Sequence, residues 1–259
     1  MSAFDFFNST RQAIGKKYWC AMRAAIAVVG LSVTGGLSTG DRAIAQAVPS
    51  TSNRTYCQNN GSSDGSNRQA ICIFPSGNFY DGELKNGVRQ GHGTFLFADG
   101  TECSGDFRDN LLNGRGTCRF PNGNLYQGEF QNSVRHGTGT YTFADGTECS
   151  GRFENGQLNG EGICTFPTGN RYEGEFRNNV RQGTGTYTFA DGTRCEGQFE
   201  NGQLNGEGIC TFPTGNRYEG EFRDNVQHGK GAFIFANGTR IEGTWNNGEF
   251  QANNATSGG

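Results

Sequence analysis

The chain has 259 residues, of which 43 are glycine and only 33% are apolar, so its composition argues against an ordinary compact domain with a thick core. The glycines lack a three-residue period, which excludes collagen. The net charge of −3 combines +3 on residues 1–45 with −6 on the remainder. An acidic remainder argues against binding of nucleic acid or anionic lipid, which depends largely on lysine and arginine.

The first 45 residues are predicted to be a signal peptide. Basic residues precede an uncharged stretch, Ala24–Gly40, and Ala43–Ala45 supplies the small-x-small pattern that favours cleavage before Gln46. The alternative is an uncleaved membrane anchor, although a stretch diluted with glycine and threonine is marginal for spanning a bilayer. Both alternatives predict an exported protein, either periplasmic or extracellular.

Three further regions follow in the chain. We expect a flexible Ser/Asn/Gly-rich segment with a degenerate repeat start over residues 46–68, a repeat array over 69–251 and a disordered tail over 252–259. A degenerate unit, Cys57–Phe79, precedes the complete units, and a half unit, Ile241–Gln251, ends the array.

The array has a period of 23 residues. With Tyr80 as position 1, every unit from Tyr80 onwards has glycine at position 3, and every complete unit has glycine at positions 12, 14 and 21 and phenylalanine at position 18. Aromatic residues at positions 1, 5, 16 and 18 alternate with polar ones, as in a strand with one buried face. The predicted repeat core consists of Tyr80, Phe107, Tyr126, Phe130, Tyr172, Phe176, Phe199, Tyr218, Phe222 and Trp245.

Turn signals separate these strands. Pairs such as Asn86-Gly87 and Asp99-Gly100 are expected to supply the positive φ angles of tight turns. No window has a capped run with the 3.6-residue period of a helix. A single hairpin cannot bury its aromatic face, so consecutive hairpins must stack. The predicted fold is all-β: an elongated single ribbon of stacked antiparallel β-hairpins.

The unit containing Tyr126–Phe130 and Arg135–Gly146 (YQGEF and RHGTGTYTFADG) resembles the MORN (membrane occupation and recognition nexus) repeat almost residue for residue. The resemblance extends over roughly residues 57–251. The usual tryptophan at position 5 is mostly phenylalanine here. Members of this family act mostly as scaffolds and interaction modules, and lipid binding has been ascribed to some. The resemblance therefore implies a role in binding or assembly rather than an enzymatic activity.

Cysteines distinguish alternate units from this family pattern, so the array is a double repeat of 46 residues. Odd units have tyrosine at position 1 and Phe or Tyr at position 16, whereas even units have cysteine at both. Residues 15 apart lie on the two strands of one hairpin, but residues 31 apart would have to reach across an intervening hairpin, beyond the ~7 Å Cα separation of a disulfide. The predicted disulfides are Cys57–Cys72, Cys103–Cys118, Cys149–Cys164 and Cys195–Cys210. Disulfides form in oxidising compartments, which independently supports export.

Other recurrent polar residues do not form a known metal or catalytic pattern, and no catalytic residue, metal or cofactor is predicted. The residues considered are the histidines His92, His136 and His228, the position-4 glutamates Glu83, Glu129, Glu175 and Glu221, and the turn residues Asp99, Asp145 and Asp191. We interpret the glutamates as a solvated strand face and the aspartates as turn residues.

Position 10 carries a possible binding row, Arg89, Arg135 and Arg181, with Gln227 in the last odd unit and leucine in the even units. An alternating Arg/Leu row is suited to a periodic partner, such as a glycan or another ribbon. The favoured interpretation is that these arginines are solvated on a loop.

The predicted function is that of a non-enzymatic exported repeat scaffold, which mediates protein–protein interaction or self-assembly. The alternative is a module that binds membrane lipid or cell-envelope polysaccharide. A protein partner or a second copy of the chain is therefore expected, lipid or glycan is the alternative ligand, and nucleic acid is not expected.

Overall fold

The computed structural model describes residues 54–60 and 68–251. The predicted signal peptide and cleavage point, most of the predicted flexible segment and the predicted disordered tail lie outside the described residues.

The described chain consists of eighteen β-strands without a helix. Their bounds are β1 (Tyr56–Asn60), β2 (Arg68–Ile73), β3 (Phe79–Lys85), β4 (Val88–Leu96), β5 (Glu102–Arg108), β6 (Leu111–Arg119), β7 (Leu125–Gln131), β8 (Val134–Thr142), β9 (Glu148–Glu154), β10 (Gln157–Thr165), β11 (Arg171–Arg177), β12 (Val180–Thr188), β13 (Arg194–Glu200), β14 (Gln203–Thr211), β15 (Arg217–Arg223), β16 (Val226–Ile234), β17 (Arg240–Asn246) and β18 (Glu249–Gln251).

Each strand pairs antiparallel with the strands before and after it in the chain, from β1–β2 to β17–β18. The result is one open eighteen-stranded sheet, and each repeat contributes one hairpin. The predicted all-β fold of stacked hairpins is confirmed. We call the hairpins β3–β4, β7–β8, β11–β12 and β15–β16 the tyrosine units, and β1–β2, β5–β6, β9–β10 and β13–β14 the cysteine units.

Two kinds of turn connect the strands. Within a unit, two residues with positive φ form a tight turn, such as Asn86 (52°) and Gly87 (77°) between β3 and β4. This geometry matches the right-handed twist of the strands that it joins. Between units, Gly100 donates from its backbone N to Phe97 O, and Asp99 Oδ1 accepts from the backbone of Thr101. Only the glycine of this Asp-Gly pair has a positive φ, so the sequence prediction is correct for Asn-Gly and half correct for Asp-Gly.

A β-bulge recurs inside the complete hairpins. In β3–β4 the register shifts between Gly82, which pairs with Gly93, and Leu84, which pairs with Arg89. Residues 90–92 therefore lie opposite the single residue Glu83. The same shift occurs in β5–β6, β7–β8, β9–β10, β11–β12, β13–β14 and β15–β16.

The two faces of the sheet differ in burial. The inner face carries positions 1, 5, 10 and 16 and holds the main buried cluster. The outer face carries positions 2, 4, 13, 15, 17 and 23, and most of its side chains are partly or fully exposed. Each predicted core residue lies on the inner face and is buried, Tyr80, Tyr126, Tyr172 and Tyr218 completely so.

Candidate interaction faces

The position-1 tyrosine fills the inner face of each tyrosine unit. Tyr126 is fully buried, and its hydroxyl donates to the backbone oxygen of Glu129 at 3.0 Å. Its ring packs edge-on against Phe130 in the same hairpin and Phe153 in the next, with centroids 5.1 and 5.0 Å away. A methyl group at Gly139 would lie 2.4 Å from the tyrosine hydroxyl oxygen, so only glycine fits beneath the ring. The tyrosine thus fixes both the bulge and the contact with the neighbouring unit.

The position-10 arginines stack on this aromatic layer. Arg135 lies on β8, with its guanidinium carbon 4.9 Å from the Tyr141 ring centroid and 5.7 Å from that of Tyr126. Its Nη2 donates to the backbone oxygen of Gly156 in the next unit at 2.7 Å. The corresponding bonds are Arg89 to Asn110 O at 2.8 Å and Arg181 to Gly202 O at 2.7 Å. The interpretation as solvated arginines on a loop is therefore wrong, because they are half-buried strand residues that link adjacent hairpins.

Burial changes the acidity of this layer. It raises the pKa of Tyr80, Tyr126 and Tyr172 to about 12, although the position-10 arginine opposes the shift. Burial also raises the pKa of Tyr218, and there Glu221 and Glu207 add to the shift. Gln227 replaces the arginine in that unit. These tyrosines therefore remain neutral hydrogen-bond donors well above neutral pH.

In the cysteine units, a disulfide replaces the two aromatic rings at positions 1 and 16. The four bonds are Cys57–Cys72, Cys103–Cys118, Cys149–Cys164 and Cys195–Cys210, each with a sequence separation of 15. Each joins residues directly opposite one another on the two strands of one hairpin, with Cα atoms 4.0–4.1 Å apart. The predicted intra-repeat disulfides are thus present in the structure.

Position-10 leucines complete the cysteine units. Leu158 is 3% exposed and covers the backbone at Gly151, where an added methyl group would lie 2.8 Å from Leu158 Cδ1. The leucine therefore covers Gly151, and Phe176 of the next unit lies over the paired Gly162. The Arg/Leu alternation at position 10 follows from which group already occupies positions 1 and 16.

Phenylalanines at position 18 form half-exposed clusters at the turns between units. Phe143 packs edge-on against Tyr141 with centroids 4.7 Å apart, and Phe120 approaches the same ring at 6.2 Å. Phe97 and Phe143 each leave 41% of their surface exposed. One such cluster occurs in each double unit, separated from the next by a disulfide.

The position-4 glutamates hold the bulges on the outer face. Glu129 Oε1 accepts from the backbone N of Thr138 at 3.2 Å, and a methyl group at Gly137 would lie 2.6 Å from its other carboxylate oxygen. The matching bonds are Glu83 to His92 N, Glu175 to Thr184 N and Glu221 to Lys230 N. The interpretation as a purely solvated strand face is therefore incomplete, because these carboxylates satisfy backbone donors that the bulge leaves outside the ladder.

Two parallel charged rows mark the outer face from β11 to β17. The arginine row, at position 23, is Arg171, Arg194, Arg217 and Arg240, and the glutamate row, at position 2, is Glu173, Glu196, Glu219 and Glu242. Each arginine forms an ion pair with the glutamate two residues later on the same strand. Arg240 also reaches across β16 to Glu219 at 3.4 Å. The earlier half of the array has mixed residues at these positions: Phe79, Glu102, Leu125 and Glu148 at position 23, with Asp81, Ser104, Gln127 and Ser150 at position 2.

A second acidic feature lies beside the glutamate row. Glu161 lies directly opposite Glu175, and Glu207 directly opposite Glu221, on adjacent strands. Like charges opposite one another destabilise a sheet. These pairs therefore make the outer face of this half strongly charged without strengthening the sheet.

The remaining polar candidates stay apart from one another. His92 Nδ1 lies 3.3 Å from Asp106 Oδ1 on the exposed outer face. Within residues 54–60 and 68–251, His, Cys, Asp and Glu side chains nowhere gather in a group of three or more suited to a metal ion. The turn residues Asp99 and Asp145 each accept from the backbone N two residues later. No helix long and apolar enough to cross a membrane occurs in the described residues.

The solved structures that this chain resembles share little sequence identity with it. The chain resembles the TCP domain of SAS-4 (dCPAP) of Drosophila melanogaster, in complex with a proline-rich motif of Ana2 (dSTIL). The two share 14% identity with a TM-score of 0.41, over 75% of this chain and 99% of that one. A streptogramin B lyase shares 11% identity with a TM-score of 0.16, over 73% of each chain. A catalytically inactive virginiamycin B lyase from Staphylococcus aureus, with quinupristin, shares 11% with a TM-score of 0.15, over 74% of this chain and 75% of that one.

No curated protein matches the sequence. The MORN repeat model matches seven consecutive segments: residues 80–102, 103–125, 126–148, 149–171, 172–194, 195–217 and 218–240. Their boundaries coincide with the 23-residue period and with the hairpins described above. The chain belongs to the MORN repeat family.

Proposed function

We propose that this chain is a non-enzymatic, exported repeat scaffold that binds protein through the outer face of its sheet. One observation carries the proposal: the inner face holds the buried aromatic layer, whereas the outer face presents exposed charged side chains that recur every second strand, about 9.6 Å apart. A periodic polar face of this kind offers many equivalent contacts to a protein partner.

Family membership and cysteine usage support this proposal. MORN repeats generally serve as non-catalytic repeat modules, and seven of them make up the matched part of this chain. The four disulfides indicate an oxidising compartment, in agreement with a signal peptide over residues 1–45. We therefore place the protein in the periplasm or outside the cell.

Binding of cell-envelope polysaccharide is a second candidate. The half-exposed rings of Phe97 and Phe143 are the observation that favours it, because aromatic side chains at a surface commonly take part in recognition. The acidic charge of the chain outside residues 1–45 weighs against anionic lipid.

Co-purification from the cell envelope tests the two candidates against each other. The full-length chain, tagged and exported in its native host, is cross-linked and purified beside a variant with a neutralised glutamate row (E173Q/E196Q/E219Q). A second variant, F97S/F143S, alters only the exposed rings. The proposal predicts specific protein partners that the glutamate variant loses and the ring variant keeps. Retention on isolated cell-wall polysaccharide that only the ring variant loses would favour the second candidate instead.

Mass spectrometry of the same material tests export. A mature N-terminus at Gln46 and four intact disulfides are expected. A chain that retains residues 1–45 and free thiols in the cytoplasm would contradict the proposed compartment.

A further inference from the structure

The two charged rows of the outer face are matched in position as well as in charge. Each arginine and its glutamate lie on the same strand, two residues apart, and these strands alternate with β12, β14 and β16. The intervening strands carry only uncharged residues in the two rows: Thr186, Thr188, Ile209, Thr211, Ala232 and Ile234. The face is therefore a pair of parallel stripes, one positive and one negative, in strict register.

Such a face is complementary to itself under one rotation. A half-turn about an axis parallel to the stripes and midway between them exchanges the two stripes and leaves each strand over its own copy. Arg194 then lies over the partner's Glu196, and Arg217 over the partner's Glu219. The other two pairs follow in the same way, so that eight opposite-charge contacts form together. We propose that the outer face from β10 to β17 is a homodimer interface, in which two copies pack face to face with these stripes opposed.

The neighbouring residues allow this arrangement. In the intervening strands, Thr188 lies over the partner's Thr186, so no charges of like sign meet there. Glu175, at position 4, lies outside the two stripes. After the rotation it lies over the uncharged turn Pro167–Gly169 of the partner. Sheets that pack face to face keep their strand directions within about 30°, which suits strands laid over their own copies.

The earlier half of the same face provides an internal comparison. Under the same rotation, Glu102 meets the partner's Ser104 and Arg119 meets the partner's Thr117. No pair of opposite charges forms there, so the proposed interface is confined to the later repeats. The inference rests on the proposed function to the extent that the outer face is the binding face, and it names a second copy as the occupant.

Sedimentation equilibrium of the purified oxidised protein at low and high salt tests this inference. Because the contacts are ionic and exposed, we expect a dimer at ~0.05 M salt and a monomer at ~1 M salt, where the screening length is only ~3 Å. A wild-type protein that stays monomeric at low salt at every concentration would overturn the proposal.

Charge variants locate the interface. R194E/R217E makes both stripes acidic on two strands and is expected to weaken dimerisation by tenfold or more. R194E/E196R/R217E/E219R exchanges the stripes, restores opposite charges and is expected to recover the dimer. R115E/R119E makes the same change in net charge on exposed residues of β6 and is expected to leave the dimer intact.

The outcomes separate this inference from the proposed function. Loss of the dimer in both R194E/R217E and R115E/R119E, or no recovery in the exchanged variant, would overturn the interface, provided that thermal unfolding shows a folded protein. A monomeric protein that still captures a specific partner from the envelope would overturn the dimer and leave the scaffold function standing. A salt-sensitive dimer without such a partner would support the interface and count against heterologous binding.

Discussion

The tyrosine units and the cysteine units share one backbone, yet different interactions hold their two strands together. In a tyrosine unit, the Tyr126 ring covers the glycine pair and Arg135 stacks on the aromatic layer. In a cysteine unit, a disulfide such as Cys149–Cys164 joins the strands, and Leu158 covers Gly151. The bulge and the intra-unit turn are the same in both. A thin sheet with one buried layer is therefore compatible with either set of interactions, provided that the residues at positions 1, 10 and 16 change together.

The tyrosine units and the cysteine units also contact each other. Arg135 of a tyrosine unit donates to Gly156 of the following cysteine unit, and Phe153 of that unit packs on Tyr126. The tyrosine units β3–β4, β7–β8 and β11–β12 are therefore each flanked by two units closed by a covalent bond. We expect the cysteine units to limit the opening of their neighbours, because stability in repeat proteins depends on nearest-neighbour interfaces.

The largest expected effect comes from removal of a buried ring. Tyr126→Ala leaves a cavity beneath Arg135 and beside two phenylalanines, and should lower the free energy of unfolding by about 3–5 kcal/mol. Denaturant unfolding of the oxidised protein measures this loss. Tyr126→Phe is the matched control, because it keeps the ring and loses only the bond to Glu129. An equal loss in both variants would show that the hydroxyl, rather than the ring, determines the stability of the unit.

Opening one disulfide should have a somewhat smaller effect. C149S/C164S removes a closed loop of 15 residues, which corresponds to about 3 kcal/mol. The same denaturant experiment reports the change, with C103S/C118S as an equivalent pair in another cysteine unit. Similar values for the two pairs are expected, since their surroundings repeat. A negligible change would contradict the role assigned to the covalent bonds.

Substitution of the central glycine should separate the two kinds of unit. In a tyrosine unit, Gly139→Ala places a methyl group 2.4 Å from the Tyr126 hydroxyl oxygen, whereas in a cysteine unit Gly162→Ala meets its nearest atom at 3.0 Å. The first variant should lose about 1–3 kcal/mol through overpacking, and the second clearly less. Comparison of their thermal midpoints checks the difference. Equal midpoints would mean that the tyrosine ring moves aside without cost.

Alkaline pH should act mainly on the tyrosine units. The folded pKa of Tyr80, Tyr126 and Tyr172 is about 12 against an ordinary value of 10.0, so folding favours the neutral form. This contribution is complete below pH 10 and is lost as the pH rises from 10 to 12. Circular dichroism and tyrosine absorbance, followed together, should show ionisation of these residues coupled to loss of structure. Recovery on return to neutral pH excludes base damage to the disulfides, and full ionisation near pH 10 with the fold intact would contradict the prediction.

Part of this organisation is readable from the sequence. The hairpins follow from alternating aromatic and polar residues, and the disulfide partners follow because positions 1 and 16 change together in every second unit. The roles of Arg135 and Glu129 could not be predicted from the sequence, because the first depends on a contact with Gly156 of the next unit and the second on the β-bulge. The register of the two strands shows that three residues of β8 lie opposite a single residue of β7. The backbone N of Thr138 therefore lies outside the ladder and donates to the Glu129 carboxylate.

The recognition of one unit by the next is also hidden from sequence reasoning. Asn110 Oδ1 accepts from the backbone N of Arg89, 21 residues away, and Asn179 makes the same bond with Leu158. Asparagine next to a turn is ordinary turn chemistry, so nothing in its spacing indicates a second role. The charged stripes likewise appear only when position 23 of one unit is placed on the same strand as position 2 of the next.

Hydrogen exchange with mass spectrometry, before and after reduction and alkylation of the cysteines, tests the alternation most directly. Reduction is expected to lower backbone protection first and most in the cysteine units β5–β6, β9–β10 and β13–β14. The tyrosine units β7–β8 and β11–β12 should keep the larger part of theirs. Protection that falls equally in both kinds of unit, or first in the tyrosine units, would contradict the claim that each kind is held by its own set of interactions.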